Sequence, residues 1–237
     1  MTEQHEGPYP PASRLRDNDM LRAIGEAARA GIPAVAPLAA QVNDGILEII
    51  TPAGIVLGVL EGPEEATDGV LMLGGAGRAR DRRGPRLADR GIASLRLHGR
   101  VPSEVESCVQ DALLALHWWS TSLGVARVVV VGHSLGGATA ITVAALNSAV
   151  AGCVGLASQT AGTELVDRLE GRPLLLVHGR EDRVLPAMCS ENIHSRAREP
   201  RELVLLDGCG HLMSEAADEV IERVKAFAVA ALGHDPR

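Results

Sequence analysis

Residues 127–149, RVVVVGHSLGGATAITVAALNSA, decide how the rest of the chain is read. Val128–Val131 is a β-branched run, apolar at every position, as expected of a strand covered on both faces. ATAITVAALNSA after it reads as a helix. Between the two stand Gly132-His133-Ser134-Leu135-Gly136-Gly137. A serine on so tight a strand-to-helix turn is thrust above the sheet in a strained backbone position. The glycines at 132 and 136 are required there, because side chains would collide with the neighbouring strand and helix. The start of the helix beside Ser134 also favours negative charge forming at that point.

Outward from this turn, strands and helices alternate. Apolar runs at 70–73, 92–97, 127–132, 151–157, 173–179 and 202–208 read as strands. ILEII and IVLGVL, separated by TPAG, read as a hairpin from Ile46 onward. The spacing of Val105, Val109, Ala112, Leu116, Trp119 and Leu123 predicts a helix over 103–123. A capping box of Ser103 and Glu106 would open it, and Gly124 would end it. Trp118 and Trp119 read as packing. A last helix is expected over 214–232, with Val220, Val224, Phe227 and Ala231 on one face. This alternation predicts an α/β fold with a mostly parallel, doubly wound sheet and an antiparallel N-terminal hairpin. Only about 16 residues, from Ser158 to Pro173, lie between two successive strands, which leaves no room for a large cap domain. Residues 1–18 are expected to be a flexible segment, and 19–237 one domain that opens with a short helix over 19–30.

Composition narrows the function. The chain has 237 residues, 46% of them hydrophobic, a composition that builds a core. A net charge of −7 argues against nucleic acid as a partner, because phosphate binding needs a basic footprint. Aromatic residues are 2% of the chain, so a substrate pocket must be lined by aliphatic and small side chains. No apolar run approaches the roughly 20 residues of a membrane span. The polar N-terminus does not read as a signal peptide. Cys108, Cys153, Cys189 and Cys209 are scattered, without CxxC spacing, and read as reduced. A cytoplasmic location is expected, with no metal or cofactor.

A serine needs a base and the base needs an acid. His211, in Gly208-Cys209-Gly210-His211, follows the strand at 202–208 and so falls on the same sheet edge as Ser134. That is the ligand edge of open α/β sheets. Asp182, in HGREDRVLP (178–186), follows the strand at 173–179; Glu181 is its neighbouring competitor, and Asp207 and Glu164 are more distant ones. His133 adjoins the serine on the chain, and its side chain is expected to point elsewhere. The oxyanion of acyl transfer needs donors. The backbone N–H of Leu135 is one, and that of Ala76 in the Gly74-Gly75-Ala76-Gly77 loop is the other. Arg78, Arg80, Arg82, Arg83 and Arg86 read either as an anion-binding cluster or as the solvated start of a helix. His98, at a strand end on the same edge, reads equally as pocket lining or as structure.

The order Ser134, Asp182, His211, carried by GHSLGG, HGREDRVLP and GCGH, resembles the α/β-hydrolase superfamily over residues 46–232. The lidless build, the LGGAGR loop and LASQTAGT (156–163) resemble dienelactone-hydrolase-like proteins and small serine esterases. The resemblance implies hydrolysis of a small ester or thioester substrate through an acyl-enzyme. Two departures stand out. Dienelactone hydrolases proper carry a cysteine nucleophile where this chain has Ser134. The superfamily often has His-Gly at the oxyanion loop where this chain has Gly74-Gly75. An acyl thioesterase or acyltransferase on the same triad, and a binder that keeps the pocket without the chemistry, remain alternatives.

Overall fold

The computed structural model describes residues 37, 39–74, 87–169 and 171–234. Nine strands form one sheet: β1 (Ala39–Asn43), β2 (Ile46–Thr51), β3 (Gly54–Glu61), β4 (Asp68–Leu73), β5 (Ile92–His98), β6 (Arg127–His133), β7 (Val150–Leu156), β8 (Leu174–Gly179) and β9 (Arg201–Leu206). Their order is β1-β2-β3-β5-β4-β6-β7-β8-β9. The first three are antiparallel, and β3 meets β5 antiparallel; β4 to β9 run parallel. The expected mostly parallel sheet with an antiparallel N-terminal hairpin is therefore present, extended by an edge strand. β1 was not foreseen. Its sequence, AAQVN, has no apolar periodicity and every residue is exposed, so pairing with β2 alone makes it a strand.

The helices are α1 (Val105–Leu123), α2 (Leu135–Leu146), α3 (Met188–Arg196) and α4 (Ala217–Ala231). β6 explains the two-sided core. Val128 and Val130 enter one apolar cluster with α1, α2 and Ile193 of α3. Val129 and Val131 enter the other with Val220, Val224, Ala228 and Val229 of α4. Alternate side chains of one strand thus bury against opposite layers, which is why the run is apolar throughout. Trp118 and Trp119 lie buried in the first cluster, as packing residues.

Helix α1 begins two residues later than expected. Glu104, extended at φ −117° and ψ 115°, is the N-cap, and no side chain caps it. The Ser103 capping box is therefore not formed; a turn in which Glu104 N–H donates to Val101 O replaces it. The far end is as expected: Gly124 is left-handed at φ 72°. Among the described residues between Ser158 and Pro173 there is a short 3₁₀ turn, Val166–Arg168, and no cap domain. The four cysteines are free thiols. The segment 1–18, the helix at 19–30, Ala76 and the arginines at 78–86 lie outside the described residues.

Strand order places the site. From β4 the chain moves first to β5 on one side and then to β6 on the other. At such a reversal the connecting loops part and leave a crevice at the C-terminal ends of the strands. Ser134 follows β6 directly at that crevice.

Candidate active site

Ser134 stands between β6 and α2 with φ 59° and ψ −120°. A non-glycine residue there is strained by roughly 1–3 kcal/mol, held only by its surroundings. Those surroundings are explicit. Ser134 N–H donates to Leu156 O at 2.8 Å, and Ser134 O accepts from Gly137 N–H at 3.0 Å. A Cβ on Gly132 would fall 1.8 Å from Gly136 O, and one on Gly136 would fall 2.5 Å from Gly74 O and Leu73 O. The turn is a contact of backbone on backbone, and only glycine fits at either place. Leu135 is the first residue of α2, so its N–H has no acceptor within the helix.

Asp182 and His211, the expected acid and base, come from the next loops. Asp182 follows β8 and His211 follows β9. A Cβ at Gly179 would lie 2.2 Å from Cys209 O, and Glu181 N–H donates to that carbonyl at 3.1 Å. The two loops are thus in backbone contact. His211 Nδ1 and Asp182 Oδ2 are 2.7 Å apart, with the carboxylate fully buried and the imidazole 14% exposed. Asp182 Oδ1 accepts the N–H groups of Val184 and Leu185 at 2.8 and 2.9 Å. Burial pushes the Asp182 carboxyl up. The His211 N–H and the two backbone donors outweigh it and hold the group below its ordinary range. Glu181, the competitor, is exposed and joins only through its backbone.

The bond at Nδ1 leaves the other ring nitrogen of His211, Nε2, outside the contact with Asp182. His133 ties the Ser134 turn to the His211 loop, contrary to the expectation that it points away. Its Nε2 donates to His211 O at 2.9 Å, and the two rings lie 4.8 Å apart at 60°. Among the described residues, a Ser134 Oγ–His211 Nε2 hydrogen bond is not formed. Such bonds are often long without substrate and tighten in the complex.

Sequence reasoning passed over His178 and Ser190. His178, on β8, is fully buried, with Nε2 at 2.9 Å from Leu185 O and 3.1 Å from Asp182 Oδ2. Its Nδ1 lies 2.7 Å from Ser190 Oγ on α3, also buried. A histidine inside a wholly buried strand was the available signal, since buried polar groups find partners. His98 ends β5 with an exposed side chain; desolvation, then Arg96, lowers its pKa. Among the described residues no cluster of histidine, cysteine or carboxylate side chains suits a metal ion, and no helix is long and apolar enough to cross a membrane.

A model of the alpha/beta hydrolase family matches residues 115–214. Uncharacterized protein YfhR of Escherichia coli (strain K12) is 29% identical over 109 residues, 36% of this chain. The match spans 38% of that protein's length. Three solved structures share the fold. Dienelactone hydrolase from Anabaena variabilis is 19% identical, with a TM-score of 0.67, and 84% of this chain and 98% of that one are covered. Est1E from Butyrivibrio proteoclasticus is 18% identical, with a TM-score of 0.66, over 84% and 100%. XC6422 from Xanthomonas campestris, described as a serine hydrolase without lid, is 12% identical, with a TM-score of 0.66, over 85% and 99%.

Proposed function

We propose that this chain, which has the α/β-hydrolase fold and matches the model of that family over residues 115–214, is a serine hydrolase that cleaves a small ester or thioester through an acyl-enzyme. The observation that supports this most is the buried Asp182 carboxylate 2.7 Å from His211 Nδ1, on the loop braced against the strained Ser134 turn. With Nδ1–H donated to Asp182, His211 Nε2 carries the lone pair that a base requires.

In this reading Ser134 Oγ attacks the substrate carbonyl carbon as its proton passes to His211 Nε2. The carbonyl π pair moves onto oxygen, where the Leu135 N–H, and Ala76 N–H as second donor, receive it. The tetrahedral adduct collapses, the bond to the leaving oxygen or sulfur breaks, and His211 gives that atom the proton. Water then attacks the acyl-enzyme, giving a proton to His211, which returns it to Ser134 Oγ as the carboxylic acid leaves. Asp182 stays ionised throughout and stabilises the imidazolium.

A panel of p-nitrophenyl esters and acyl thioesters tests the proposal. Turnover is expected for short acyl groups. Each methylene fully buried is worth about 0.8 kcal/mol, and a site without a cap domain offers little surface beyond the first few carbons. Selectivity for thioesters would favour the thioesterase or acyltransferase reading. No turnover of any member would favour a binder. A rate that climbs steadily with acyl length, or jumps at the solubility limit, would contradict the open site.

The pH dependence has a definite sign. A histidine base must be neutral to accept a proton, so kcat/KM should be lower at about pH 5 than at about pH 8. Asp182, held below the ordinary carboxylate range, is ionised across that window and adds no limb of its own. A profile flat from pH 5 to 8 would exclude a histidine base.

A further inference from the structure

We propose that His178 is a positioning residue for the catalytic acid: it fixes the Asp182 carboxylate through the same oxygen that His211 contacts. The inference rests on the triad reading and goes one residue beyond it. Leu185 O can only accept, and it lies 2.9 Å from His178 Nε2. Nε2 therefore carries the hydrogen, and the same N–H is shared with Asp182 Oδ2 at 3.1 Å. In this tautomer Nδ1 accepts, so the Ser190 hydroxyl donates to it at 2.7 Å.

The result is a closed set of donors around one carboxylate. Oδ1 takes the Val184 and Leu185 N–H groups; Oδ2 takes His211 Nδ1–H and His178 Nε2–H. Without His178, Oδ2 would keep His211 as its single donor, and the carboxylate could tilt about the Oδ1 bonds to Val184 and Leu185. Oδ2 would then lose the direction that holds the His211 ring with Nε2 toward Ser134. His178 is itself immobile, because it lies within β8 at zero exposure and is tied through Ser190 to α3. The groups facing His211 are Asp182, with His178 behind it, and the His133 ring.

Hydrogen-bond partners that orient metal-bound histidines typically matter about 10- to 100-fold, and His178→Leu is expected to lower kcat by a similar factor with little change in KM. His178→Gln, whose side-chain N–H can reach Asp182 and Leu185, is expected to recover most of that loss. In an Asp182→Asn background His178→Leu should cost less than about threefold more, because residues acting through one another are not additive. A merely structural residue would instead lower stability and add its full loss in both backgrounds. Two measurements do not need activity. ¹⁵N spectra of the histidine rings in the native chain should report an Nε2–H tautomer for His178. The deshielded His211 Nδ1–H proton should persist in the Gln variant and broaden or move upfield in the Leu variant. An Nδ1–H tautomer at His178, or additive losses, would overturn the proposal, and the tautomer decides it even if the Leu variant does not fold. If the chain hydrolyses neither esters nor thioesters, the triad reading fails, while the two spectra still decide whether His178 holds Asp182.

Discussion

Ser134→Ala is expected to reduce ester hydrolysis by about a million-fold and to abolish labelling by a fluorophosphonate probe. The alanine keeps the backbone geometry that the turn imposes: φ 59°, the bond to Leu156 O, and the glycine contacts at 132 and 136. The serine hydroxyl forms no hydrogen bond among the described residues, so its removal leaves no buried partner unsatisfied. The melting temperature should therefore stay within a few degrees while activity vanishes. Hydrolysis by the alanine variant near the parent rate would mean that another nucleophile operates.

The second large effect separates two adjacent carboxylates. Asp182→Asn should cost about 10⁴ in kcat, whereas Glu181→Gln should stay within a few-fold of the parent. The asparagine oxygen can still accept from Val184 and Leu185, but its amide then turns N–H groups toward the nitrogen of His211 that now donates. The imidazole is driven to the tautomer with its hydrogen on Nε2, and the base loses its lone pair. Glu181 is exposed and bonds the site through its backbone N–H, which glutamine retains. Equal losses in the two variants would leave the acid unassigned, and loss at Glu181 alone would refute the assignment. Asp182 also carries a stability signature. Its carboxyl is held below the ordinary value of about 3.9, so its contribution is present above that pH and fades as pH falls through the lowered value. The asparagine variant should lack that part of the acid sensitivity.

What could be read from the chain beforehand was set by periodicity and by turn sterics. The strand-turn-helix at 127–149 carries its own evidence: a two-faced apolar run, then glycines where no Cβ fits. Placing Asp182 and His211 at successive strand ends needed only the rule that parallel strands share a ligand edge. β1 was hidden because its residues are exposed on both faces and depend wholly on a partner strand. The start of α1 was misread because Ser103 and Glu106 satisfy the pattern of a capping box, while the turn from Val101 to Glu104 takes over the helix entry. His133 and His178 were missed for a common reason. Their partners, His211 O in one case and Asp182 with Ser190 in the other, are brought to them by loops from other strands.

The sheet order has a consequence for how the molecule fails under heat. β6, which carries Ser134, lies between β4 and β7, whereas β9, which leads to His211, is one of the two edge strands and is only partly buried. Proteins open in pieces, and the pieces with least buried surface open first. Fraying of the β9 edge therefore carries His211 away from Ser134, whose own strand is still folded. Activity should fade on warming before the bulk of the secondary structure melts. Stiffening that one margin would extend the working temperature more than any improvement to the core.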